Sequence, residues 1–254
     1  MIHMNPEFVY GEGTGIATTS FEMKLEKPKS SSFHTDIFPK VGQWYHLSSP
    51  GKAGRHIRTV AEIWVCQILA LGYPVHWIDG ACRMDPTRLF KLLRQMNEPA
   101  EECLSRLYVS RGFTLHQLVR QIERLAAEIK LTGTPFVVVD GLLTMHMDEQ
   151  VGDRETRMLL LHQCKILASL HQIQPLMLVT TGDSKLRTKR ELQLNAILMK
   201  NIQAELYGEI QGEGRQQKLR LHHKPSFQTG YWIHDVPELT LKHFDSRRDK
   251  IIQI

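Results

Sequence analysis

An α/β fold, with a mostly parallel central sheet flanked by helices and antiparallel strands at its C-terminal edge, is what this sequence predicts, and three observations carry it. Short apolar runs of strand length alternate with longer amphipathic runs from Trp44 to Gln172, the pattern of a parallel sheet covered by helices. One run, Pro135-Phe136-Val137-Val138-Val139-Asp140, is apolar up to its terminal carboxylate, as in a strand buried on both faces. After Asn201 the pattern changes to short segments separated by Gly and Pro, as in antiparallel strands joined by turns.

Residues 1–40 are rich in Gly, Ser, Thr, Lys and Pro with little periodicity and are expected to form a flexible arm. The core domain is expected over 41–235 and a tail over 236–254. Its first strand is Trp44 to Leu47. The helix that follows runs from about Arg55 to Leu71, stopped by Gly72 with Pro74 just beyond. Val75 to Asp79 is the second strand. Asp85 as cap and Pro86 at the first helical position start a helix to Met96. Leu107 to Val109 is the third strand, and Thr114 caps a helix over 115–130 whose Leu118, Ile122, Leu125 and Ile129 recur at helical spacing. The strand 135–140, a helix from about Glu155 to Gln172 and the strand 176–180 complete the parallel part. Segments 204–211, 218–223 and 230–234 are the antiparallel strands.

Composition narrows the class. In 254 residues, 42% hydrophobic and 23% charged, there is material for one sizeable core. A formal charge of +5 and a pI near 9.0 tilt toward a polyanionic partner. Cys66, Cys82, Cys103 and Cys164 form no C-x-x-C pair and read as reduced thiols of an intracellular protein, nuclear or cytoplasmic. The longest apolar run, Ile63 to Leu71 broken by Gln67, is short of the roughly 20 residues that cross a bilayer, so no membrane partner is expected. The histidines show no metal-ligand spacing, and no metal site is expected.

The stretch Ser49-Pro50-Gly51-Lys52-Ala53-Gly54-Arg55-His56 stands between a strand and a helix, where a phosphate loop of the form G-x-x-x-x-G-K-[ST] would stand. In such a loop backbone N–H groups and Lys hold phosphates and a Ser/Thr hydroxyl holds Mg²⁺. Ser49, Gly54, Arg55 and His56 occupy the defining positions. An imidazole is a poor ligand for Mg²⁺, a hard cation that prefers oxygen.

Longer phrases resemble the ATPase core of the RecA/RadA recombinase family. Val75-His-Trp-Ile-Asp79-Gly-Ala-Cys-Arg83-Met-Asp-Pro86-Thr-Arg88-Leu89 is similar to the family's L-Y-I-D-T-E-G-x-F-R-P-E-R-L, and Leu107-Tyr-Val-Ser-Arg-Gly-Phe-Thr114-Leu-His-Gln-Leu118 to its I-x-V-A-R-A-F-T-x-x-Q-L. Phe136 to Asp140 resembles the Walker B strand. Lys218 to Ile233 resembles the closing strands, so the likeness spans about residues 41–235. It implies a RecA-like P-loop NTPase core and, as partners, DNA and a recombinase or another recombinase paralogue.

The departures from the family pattern fall on the chemistry. Arg55 stands for the phosphate-binding Lys, His56 for the Mg²⁺-binding hydroxyl and Ala81 for the glutamate that orients the attacking water. The expectation is a catalytically silent recombinase paralogue with a degenerate nucleotide site (Gly51, Gly54, Arg55, His56, Asp140), no required cofactor and at most residual ATP binding. Asp79 and Asp140 order loops or serve a nucleotide. Lys185, Arg187, Lys189 and Arg190 lie where the family has its second, mobile DNA-contacting loop, with Arg154 and Arg157 in the first such loop, Asp148 to Arg157. These cations either contact DNA phosphates or form a solvated, locally paired face. The alternatives are a weak DNA-stimulated ATPase using Arg55, and a RecA-like signalling or motor-accessory protein that binds no DNA.

Overall fold

In the computed structural model, residues 39, 41–50, 53–148, 150–186, 188–211, 218–224 and 229–233 are described. The expected arm, Pro39 apart, and the expected tail lie outside these residues, as do Gly51 and Arg187 of the candidate sites. The elements are β1 (Trp44–Ser49), α1 (Ala53–Ala70), β2 (Val75–Asp79), α2 (Pro86–Gln95), α3 (Ala100–Leu104), β3 (Leu107–Arg111), α4 (Leu115–Thr132), β4 (Phe136–Asp140), α5 (Asp153–Ser169), β5 (Met177–Asp183), α6 (Lys189–Met199), β6 (Ala204–Gln211), β7 (Lys218–Lys224) and β8 (Thr229–Ile233). A turn of 3₁₀ helix, Thr144–Met147, lies between β4 and α5.

Local chemistry accounts for the boundaries. Asp85 accepts the Thr87 N–H and Pro86 opens α2. Thr114 accepts the Gln117 N–H at the start of α4, and Gly133 ends it at φ 65, a left-handed position that favours glycine. Thr188 and Glu191 form a reciprocal capping box on α6.

Where the sequence reading differs, the reason is local. α1 begins at Ala53, earlier than expected, and β5 runs on to Asp183, its extension held by pairing with β1 up to Ser49. The expected loop from Asp148 to Arg157 is helix from Asp153 onward. The expected mobile loop 182–191 is strand up to Asp183 and helix from Lys189. α3 and α6 were not anticipated: α3 is very short, and the basic run conceals the start of α6, although Thr188-x-x-Glu191 was a readable cap.

Among the described residues eight strands form one sheet in the order β3-β2-β4-β5-β1-β6-β7-β8. Neighbours from β3 to β6 are parallel, while β6–β7 and β7–β8 are antiparallel. Alternate residues of each buried strand feed two cores. Leu47, Trp77, Val138 and Val179 face α1, α2 and α3. Trp44, Ile78, Val139 and Leu178 face α4, α5 and α6. Among the described residues no helix is long and apolar enough to cross a membrane.

This connectivity defines where side chains converge. β2 leads to α2 on one face and its neighbour β4 leads to α5 on the other; β1 and β5 part in the same way. Such switch points open crevices outside the carboxyl ends of the strands, where open α/β sheets bind ligands.

Candidate functional site at the carboxyl edge of the sheet

Asp79 and Asp140 end β2 and β4 in direct register, and both are fully buried. They are not alone there. Arg58, on the sheet-facing side of α1, places Nη1 3.4 Å from Asp140 Oδ2 and Nη2 3.1 Å from Glu62 Oε1. Arg88 of α2 reaches Glu62 Oε2 at 2.8 Å and donates to Thr59 Oγ1 at 2.9 Å. The exposed Arg83 guanidinium lies 3.8 Å from Asp140 Oδ1, and the Thr181 hydroxyl donates to the same oxygen.

Asp79 has a different task. Its carboxylate accepts the backbone N–H groups of Arg83 and Met84, each at 3.0 Å, and Nε–H of Arg111 at 2.8 Å. Arg111 also donates to the Met84 carbonyl at 2.9 Å. Of the two roles open in the sequence, loop ordering is therefore the one in place. The turn after β2 is pressed onto the turn after β4: Gly80 N–H donates to the Asp140 carbonyl at 2.9 Å, and a Cβ on Gly141, at φ +67, would fall 2.5 Å from Ala81 Cβ.

Burial governs the electrostatics. It raises the carboxyl of Asp140 above its ordinary value, opposed chiefly by Arg58 and then by Thr181 and Arg83. Burial also raises Glu62, opposed by Arg88 and Arg58. Arg58, Arg83, Arg88 and Arg111 face Glu62, Asp79 and Asp140, one more cation than anions. The guanidinium groups of Arg58 and Arg83 thus lie against Asp140, and a divalent cation placed there would meet positive charge at close range. With His56 where a hydroxyl is needed, the residues present do not fit Mg²⁺.

Of the remaining nucleotide-site candidates, Gly54, Arg55 and His56 form the first turn of α1. At the neighbouring switch point Ser49 pairs in register with Asp183, and Ser184 N–H donates to the Ser49 carbonyl at 3.1 Å. Behind it lies a buried polar row. His46 Nδ1 and Trp44 Nε1 both meet Thr180 Oγ1 at 2.9 Å, and the Ser48 hydroxyl donates to Glu205 Oε1 at 2.7 Å.

The basic candidates divide. Lys185 and Lys189 are exposed between β5 and the first turn of α6, and Arg154 and Arg157 are exposed on the first turns of α5. Arg157 reaches Gln193 at 3.4 Å, which brings the α5 and α6 groups to one side of the molecule. Arg190 departs from the sequence reading: it is turned inward, its Nη2 donating to Thr156 Oγ1 at 2.7 Å. Sequence reasoning missed Arg58 and Glu62 altogether. Their signal was present, since both fall at helical spacing on the stripe of Ile57, Ala61 and Val65, where a charge must find a buried partner.

Compared with models of known protein families and with curated proteins, the sequence gives no match.

Proposed function

We propose that this chain is a non-hydrolysing subunit of RecA-like build, a divergent recombinase paralogue that binds DNA through its carboxyl-edge segments and supports or regulates a recombinase filament in recombination and repair. The observation that carries the silent half of this reading is Asp140 locked between Arg58 and Arg83. A hydrolytic site needs that carboxylate available to a Mg²⁺ shell, and Arg58 has taken its charge. The strand order, with the degenerate loop between β1 and α1 and the acidic residue ending β4, supports the RecA-like build.

The DNA half rests on Lys185, Lys189, Arg154 and Arg157, all exposed on the edge where helices begin. Such cations neutralise phosphates without reading bases. Titration of the protein with oligothymidylate at two salt concentrations is expected to give a log–log slope of about −3, as for roughly four phosphate contacts on a single strand. A fluorescent ATP analogue is expected to show no Mg²⁺-dependent turnover signal. Magnesium-dependent hydrolysis would move the chain to the ATPase reading, and no DNA binding at low salt would remove the DNA half.

A further inference from the structure

Arg190 follows the Thr188 cap in α6, and its side chain runs back over the connection between β4 and α5. Nε–H donates to the His146 carbonyl at 3.0 Å and Nη2 to the Asp148 carbonyl at 3.0 Å. Nη2 also reaches Thr156 Oγ1 at 2.7 Å, and Nη1 lies 3.3 Å from Asp153 Oδ1. The acceptors belong to the end of the 3₁₀ turn, the bend after it and the first turn of α5.

Both ends of this span are anchored. The His146 ring is fully buried and its Nδ1 bonds the Leu142 carbonyl at 3.0 Å. Thr156 is fully buried, and the capping box fixes the start of α6. A planar guanidinium can serve acceptors in several directions at once, which a single ammonium cannot reproduce.

We infer that Arg190 is a positioning residue that joins the segment after β4 to the start of α6, so that the two edge segments are held at one separation. Its consequence rests on the DNA reading above. A strand held at Lys185 and Lys189 then meets Arg154 and Arg157 already in place, and the two sets of cations are coupled through the clamp.

Hydrogen exchange on the free protein tests the clamp without DNA. In Arg190→Lys the amides of Gln150 and Val151, which bond to Asp148, are expected to exchange about tenfold faster while those of β4 and β5 keep their rates. Thr156→Val, which removes one acceptor and leaves the charge, is expected to fall between. Wild-type exchange in both variants overturns the clamp. A double-mutant cycle of Lys189→Ala with Arg154→Ala, read as oligothymidylate affinity, then tests the coupling. About threefold coupling is expected in the wild-type background and none in Arg190→Lys. Additive effects in the wild type, or coupling that survives Arg190→Lys, overturn it. If wild-type protein binds no oligothymidylate, the DNA reading fails and exchange alone decides the clamp.

Discussion

At the scale of single residues, the chain's least conventional choice is to bury charge on both sides of one helix–sheet contact. The side chains of Arg58, Glu62 and Asp140 are 7%, 3% and 0% exposed, so each needs a charged partner. Arg58→Met takes from Asp140 its buried cation and from Glu62 one of two, the other being Arg88, and is expected to cost about 3–5 kcal/mol, whereas Arg58→Met with Glu62→Leu and Asp140→Leu should cost less, because the buried charges leave together and only the more exposed Arg83 and Arg88 remain. Urea unfolding distinguishes the two outcomes. Buried histidines give a pH dependence of definite sign. Burial depresses His46 and His146 from 6.5 to about 4, in His46 against the pull of Glu205. Their contribution is complete above pH 6.5 and is lost as the pH falls toward 4, since the unfolded chain binds the protons first. Glu62 and Asp140, raised by burial, act with the opposite sign: their contribution is present at low pH and is lost as the pH rises through their folded values. A difference measurement isolates the histidines. His46→Gln or His146→Gln should each flatten the stability curve between pH 6.5 and 4 by about 1.4 kcal/mol per pH unit.

At the scale of elements, caps and turns set the edge where the candidate sites lie. The Thr188–Glu191 box starts α6 immediately after the basic segment, so Thr188→Ala should cost about 1 kcal/mol and loosen the segment before it. Gly141 permits the sharp exit from β4 at φ +67 against Ala81 and Thr144. A side chain there meets both steric overlap and backbone strain, and Gly141→Ala should cost about 2–4 kcal/mol in denaturant unfolding. Much at this scale was legible in the sequence. The caps Asp85 and Thr114 and the apolar run 136–139 identify elements whose local chemistry and burial agree. α6 was overlooked because its first turn, Lys189-Arg190, is charged like a loop. The fate of Arg190 was not legible, because its acceptors lie far back in the chain, between His146 and Thr156.

At the scale of the whole molecule, parallel order places every strand-to-helix connection from β1 to α6 on one edge and the helix ends on the other. Lys185 and Lys189 share the first edge, while Lys130 lies in the last turn of α4 at the opposite one. Charge reversal at Lys185 and Lys189 should therefore lower oligothymidylate affinity and reduce the salt slope by about 1.4, and Lys130→Glu should leave the slope unchanged. Equal effects at both edges would mark the basicity as diffuse attraction. The alternation of strand and helix, the uninterrupted run of β4, the stop at Gly72 and the imidazole at position 56 are properties of neighbouring residues, and periodicity and side-chain chemistry determine them before any folding. Asp79 and Asp140 could be placed at strand ends in the same way. That one orders a loop while the other is sealed by Arg58, and that Arg190 clamps a neighbouring segment and leaves solvent, was set by packing. Each depends on groups from separate helices meeting in a buried space, where the cost of an unpaired charge selects the partner.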